Sequence, residues 1–205
     1  NGVKATQLTD YNVVSQPSGN AVSRTVWYID WSQNTKGTYN MTVKAEVDGK
    51  TNEKVVGSVK VAGLKLGDNT TNLDQNGNTM YVLENNNNDY ENTYWTSVNN
   101  NLSANNQLNY NSLFTFDNRR IKSVARGTYC NGTNGDISFN ENGTQYTFGT
   151  NNGNNRIYVE QSYGNFSITY YIRQTGNTDM EISGTWNDNS TNRDWKIYPV
   201  TYDIP

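Results

Sequence analysis

The chain has 205 residues, with 16 lysines and arginines against 19 aspartates and glutamates, no histidine and a single cysteine, Cys130. Without histidine there is no Ser-His-Asp chemistry, no imidazole base and no imidazole metal ligand, and one thiol makes neither an internal disulfide nor a thiolate zinc site. A net charge of −3 with no long run of Lys or Arg argues against nucleic acid as a partner, and no apolar run reaches the roughly 18 residues of a membrane span.

The opening stretch, Val3 to Val14, alternates like a strand. Val3, Ala5, Gln7, Thr9, Tyr11 and Val13 fall on one side, Lys4, Thr6, Leu8, Asp10, Asn12 and Val14 on the other. Ser15-Gln16-Pro17-Ser18-Gly19-Asn20 then breaks the pattern, so the strand is leashed to the rest of the chain rather than continuous with it. Residues 1–20 are therefore expected to be a strand and linker, and 21–205 a body. Ala21 to Trp31 reads as a buried strand with Trp27, Ile29 and Trp31 on one face. After a polar turn, Tyr39, Met41, Val43, Ala45 and Val47 alternate with polar residues, which predicts a half-buried strand.

Asp48-Gly49 predicts a hairpin to a strand over 55–66, with Val55, Val59 and Val61 inward and a bulge at Gly63. Short strands are expected at 80–84 and 93–98, a loop at Asn85 to Asp89, and no defined element over the asparagine-rich 99–111. Leu113 to Phe116 and 121–130 resume the sheet. Further strands are expected at 136–139, 145–148, 156–160, 166–172, 179–186 and 194–202, separated by Asn-Gly turns. Lys60, Lys65 and Lys122 are candidate guards of sheet edges. No window has a helical period.

Val, Leu, Ile and Phe total only 38, whereas 15 Tyr and 5 Trp supply large apolar bodies. The core must then be aromatic and β-branched. The fold class is all-β, a sandwich or barrel.

The 36 asparagines hydrate the surface with amides in place of ions, and they create seven Asn-X-Ser/Thr sequons, at Asn40, Asn69, Asn101, Asn131, Asn142, Asn165 and Asn189. Chance alone gives nearly that number. Their positions carry the weight: Asn69, Asn101, Asn131, Asn142 and Asn189 fall in predicted turns and Asn40 on a polar strand face. Six Asn-Gly pairs disfavour a hot neutral setting, because they deamidate, and are more compatible with an acidic one. The start at Asn1 fits a removed signal peptide or a chain boundary of other origin; the composition favours the former.

Three chemical constellations compete with blander readings. Any two acids could form a glycosidase pair, but no pair stands apart, and no enzyme is expected. Asp74-Gln75-Asn76-Gly77-Asn78 spaces oxygens as a calcium loop does, yet lacks further carboxylates and a distal Glu, so turn chemistry suffices. Trp95, Trp186 and Trp195 are candidate sugar-stacking platforms or, equally, core residues. No metal or cofactor is expected beyond covalent N-glycans.

Together, VKATQLTDYNVV with its SQPSGN leash, the all-β body, the sequons and the few charges resemble the thread-filament subunits of thermoacidophilic archaea. These are glycosylated extracellular pilins, similar in architecture to bacterial type I pilins and joined by donor-strand complementation. The resemblance implies an immunoglobulin-like or pilin-like β-sandwich with an N-terminal donor strand, built into a cell-surface filament serving adhesion or biofilm formation. Identical subunits would form a helical or linear homopolymer, with Val3, Ala5, Gln7, Thr9, Tyr11 and Val13 entering the neighbouring subunit. The alternative is a secreted carbohydrate-binding module or lectin-like adhesin.

Overall fold

The computed structural model describes residues 6–8, 12–13, 22–23, 26–28, 36–184, 191–203 and 205. The chain divides into two compact units, Asn1–Thr35 and Lys36–Pro205. In the first, strands β1 (Thr6–Leu8), β2 (Asn12–Val13), β3 (Val22–Ser23) and β4 (Val26–Tyr28) form two small antiparallel sheets, β1 with β4 and β2 with β3. The described parts of the opening alternation, 6–8 and 12–13, are strand. Val3, Ala5, Thr9, Tyr11, the leash at 15–20, Ile29 and Trp31 lie outside the described residues.

The second unit opens with β5 (Gly37–Val47) and β6 (Lys50–Val61), a hairpin around Asp48 and Gly49 at φ 50° and 72°. Both φ values are positive, as the two-residue turn that matches strand twist requires, and an Asp-Gly pair is suited to it. The ladder shifts register between Met41 and Thr42, which pair with Gly57 and Val55, so the extra residue is Val56 and the bulge lies there rather than at Gly63. The hairpin pairs with no other described strand. Of the face expected to be half-buried, Tyr39 is half-buried and Met41 exposed, and the side chains of 43–47 lie outside the described residues. Of the residues expected inward on β6, Val61 is half-buried but Val55 and Val59 are exposed, as is Val56.

The remaining strands are β7 (Gly63–Leu66), β8 (Met80–Asn85), β9 (Tyr94–Val98), β10 (Asn101–Asn105), β11 (Phe114–Asp117), β12 (Arg120–Ser123), β13 (Tyr129–Asn131), β14 (Gly135–Asp136), β15 (Ser138–Asn140), β16 (Thr147–Asn151), β17 (Asn154–Tyr163), β18 (Phe166–Gln174), β19 (Met180–Gly184) and β20 (Trp195–Asp203). They join in one antiparallel system, ordered β11-β12-β13-β15-β10-β9-β8-β20-β17-β18-β19-β14, with β7 on β20 and β16 on β17. β11 also returns to β8 through Phe114 and Tyr81, so the sheet wraps over itself. Inward side chains from both parts meet in one cluster, which makes the body an all-β sandwich.

That core is aromatic, as the composition requires. Trp95 and Trp195 pack edge to face with centroids 5.2 Å apart, Trp95 meets Phe114 at 5.8 Å, and Phe116 meets both Tyr81 and Phe148. Ile121, Ile157, Ile172, Ile182 and Ile197 fill the spaces between rings.

Two differences from the sequence reading concern the middle of the chain. The stretch 121–130 is two strands, because Gly127 at φ 71° turns the chain within it. The asparagine-rich 99–111 holds β10, entered by an Asn99-Asn100 turn with φ 45° and 68°. Lys65 is exposed on β7, which among described strands pairs with β20 alone, so it stands where an edge guard should. Lys122 does not guard an edge. Its strand runs between β11 and β13, and its ammonium lies over the Tyr129 ring at 5.4 Å. No helix among the described residues is long and apolar enough to cross a membrane.

Candidate functional site

Of the expected donor-strand residues, two lie among those described. Gln7 in β1 pairs with Trp27, and Val13 in β2 pairs with Val22. The described pairs are Thr6, Gln7 and Leu8 against Tyr28, Trp27 and Val26, then Asn12 and Val13 against Ser23 and Val22. Two-stranded ribbons have little stability of their own in water, and among the described residues neither of these pairs with a third strand. The β5–β6 hairpin repeats the situation on a larger scale, with exposed valines and no further described strand on its edges. At its base Lys36 is paired with Asp203 at 2.5 Å, and Lys60 donates to the Pro205 carbonyl at 3.0 Å.

The sequons are presented unequally. Asn40, Asn69, Asn101, Asn142 and Asn165 are exposed, Asn131 is half-buried, and Asn189 lies outside the described residues. Asn101 and Asn131 sit at the ends of β10 and β13 rather than in the turns expected for them. Asn69 works within the fold: its Nδ2 donates to the Gly153 carbonyl at 3.1 Å, and its Oδ1 accepts from Ile197 N at 2.8 Å. Asn131 Oδ1 accepts from Thr144 Oγ1 at 3.3 Å.

Trp95, Trp195 and the Asp74 loop each have a structural part in the fold. Trp95 and Trp195 have no exposed surface, so neither is a sugar platform, and Trp186 lies outside the described residues. A Leu-poor sandwich needs these rings inside, since few other side chains bury as much apolar area. The Asp74 loop closes on itself: its carboxylate accepts from the backbone N–H groups of Asn76 at 2.9 Å, Asn78 at 3.1 Å and Thr79 at 3.0 Å. Asp74 N in turn donates to Tyr81 Oη at 2.8 Å. Gly77, at φ 76°, allows the chain to curl around the carboxylate.

The N–H groups, Asn76 first, hold the Asp74 carboxyl below its ordinary range, with partial desolvation opposing them. Because the folded value is the lower one, this stabilisation is complete above the unfolded value of about 3.9 and is lost as pH falls through the folded value. Asp74→Asn is therefore expected to be less stable than the parent at pH 6. Thermal denaturation from pH 6 down to 2 should show the gap closing in acid, and a constant gap would contradict the assignment.

Other acids are similarly engaged. Glu181 accepts from Arg173 Nε and Nη2 at 2.9 and 2.7 Å, and Asp117 from Arg120 and Tyr129. Glu84 accepts from Tyr198 Oη at 2.8 Å, and burial together with this bond pushes the phenol upward. A cleft of about 420 Å³ is lined by Asn99, Asn101, Asp136, Asp179 and Glu181 among others. Among the described residues no group of three or more His, Cys, Asp or Glu side chains is arranged to hold a metal ion. Cys130 is fully buried, and desolvation pushes its thiol far up, away from the reactive thiolate.

The distinctive features among the described residues are two-stranded ribbons with no third described strand, exposed apolar strand residues and exposed amides. Comparisons with known protein families, with curated proteins and with solved structures yield no match for this chain.

Proposed function

We propose that the chain is a structural subunit of an extracellular filament that polymerises by exchanging its N-terminal strand segment with a neighbour. The observation that carries this reading is that, among the described residues, the strands of the opening segment pair only with β4 and β3, in two-stranded sheets. Those pairs can be re-formed between two copies with little net loss, which is the low cost that makes strand exchange a route to assembly. Backbone hydrogen bonds then supply the adhesion and alternate side chains the register. A head-to-tail contact of this kind does not close, so it propagates.

The exposed Val55, Val56 and Val59 of β6 support the same reading, since an apolar ribbon with no further described strand on its edges suits a surface covered on assembly. Exposed sequons at Asn40, Asn101, Asn142 and Asn165 are where N-glycans would cover the filament's outside. Such a filament would serve adhesion or biofilm formation.

Deletion of residues 1–16 tests the proposal. The shortened protein is expected to keep its β-type circular dichroism, yet to give only monomers under negative-stain microscopy where the full chain gives filaments. Filaments of normal length from the deletion variant would sink it.

A further inference from the structure

The tip of the β17–β18 hairpin carries an aromatic pair that the core does not use. Tyr163 and Phe166 are directly opposite each other in the ladder, with rings nearly parallel at 21° and centroids 5.7 Å apart. They are exposed by 44% and 53%, although large rings are usually buried where they can be. Tyr163 is pinned by its hydroxyl, which lies 2.6 Å from Gln161 Oε1 and 3.2 Å from Tyr170 Oη. The two residues between the rings are Gly164, at φ 65°, and Asn165, which begins the sequon Asn165-Phe166-Ser167.

This sequon differs from the other described ones. The amides of Asn69 and Asn131 are occupied within the fold, and Asn101 lines a cleft. Among the described sequons, Asn165 alone sits in a tight, exposed turn between two stacked, exposed rings. A hexose ring offers an apolar face of C–H groups about the size of an aromatic ring, and such a face gains both burial and electrostatic attraction when laid on an aromatic surface.

We propose that Asn165 is an occupied N-glycosylation site, and that the first sugar of its glycan lies on the Tyr163–Phe166 platform, covering it and fastening the hairpin tip. In the attachment step Asn165 Nδ2 bonds to the anomeric carbon of a lipid-linked sugar phosphate. The anomeric C–O bond breaks, the lipid phosphate leaves with that electron pair, and one amide proton passes to a base of the transferase. The amide oxygen and one N–H remain. The inference rests on the extracellular part of the filament reading.

The test uses the full chain secreted from a host that N-glycosylates, whether or not it assembles. Peptide mapping by mass spectrometry is expected to find Asn165 modified, and an unmodified Asn165 overturns the proposal while leaving strand exchange untouched. In the glycosylated protein, ring currents should displace the first sugar's proton resonances upfield, and amide exchange around residues 163–166 should slow about fivefold relative to Asn165→Gln, the equivalent of about 1 kcal/mol. Both effects should vanish in the Tyr163→Ser/Phe166→Ser double variant, whose changes lie at an exposed tip and spare the core. A modified Asn165 whose sugar resonances and exchange rates are the same with and without the rings also overturns it.

Discussion

Trp195→Ala is expected to cost about 4 kcal/mol of stability, near the top of the range for emptying a core site of this size. Trp195 has no exposed surface, packs edge to face on Trp95, and donates from Nε1 to the Ile172 carbonyl at 3.2 Å. The phenylalanine variants separate packing from hydrogen bonding. Trp195→Phe loses that bond as well as volume, for a total of about 2 kcal/mol. Trp95 is equally buried, but its Nε1 has no hydrogen-bond partner among the described residues. Trp95→Phe removes an unpaired buried N–H, which offsets the lost volume, and should cost less than about 1 kcal/mol. Urea denaturation of the two variants measures the difference directly. Equal costs would mean that the two indoles are not environmentally distinct.

The second large effect is expected at Asp194. Its side chain is 2% exposed and accepts from Arg156 Nε at 2.5 Å and Asn151 Nδ2 at 2.8 Å, while Arg156 is 21% exposed. Asp194→Ala leaves the guanidinium half sunk without its counter-charge, a loss of about 3 kcal/mol for a buried pair broken on one side. For a chain of this length that lowers the melting temperature by about 6–12 °C. Replacing both partners by apolar residues, as in Asp194→Leu/Arg156→Met, should recover much of the loss, because no charge is then left desolvated. A double variant as unstable as the single one would show that the pair is held by its neighbours' packing rather than by its charges.

Much of the body was legible in order of strands, because turns in this chain are written in residues that tolerate positive φ. Asp48-Gly49, Asn152-Gly153 and Gly164 stand at hairpin turns where the pattern places them. Asn99-Asn100 makes the same kind of turn, but within a run of asparagines the turn signal cannot be told from loop composition, and β10 was hidden with it. The clean alternation of Phe166, Ile168, Tyr170 and Ile172 identified β18, yet burial along it runs from an exposed Phe166 to a fully buried Ile172. Alternation reports which side chains share a face; it does not report whether anything packs on that face. For the same reason the sharpest alternation in the chain, from Tyr39 to Val47, belongs to a hairpin that stands outside the sheet.

The candidate site divides along the same line. Absence of histidine, a lone cysteine, few charges and abundant asparagine are properties of the sequence alone, as is the all-β class, because residue chemistry and period-two patterning are local. Whether an aromatic residue is core or surface is not local. Tertiary packing buried Trp95 and Trp195, closed the Asp74 loop on its own backbone, and left Tyr163, Phe166 and Val55, Val56 and Val59 of β6 exposed. Burial is decided by which strands meet across the sandwich, and that depends on long-range pairings such as Phe114 with Tyr81 that no window of sequence contains.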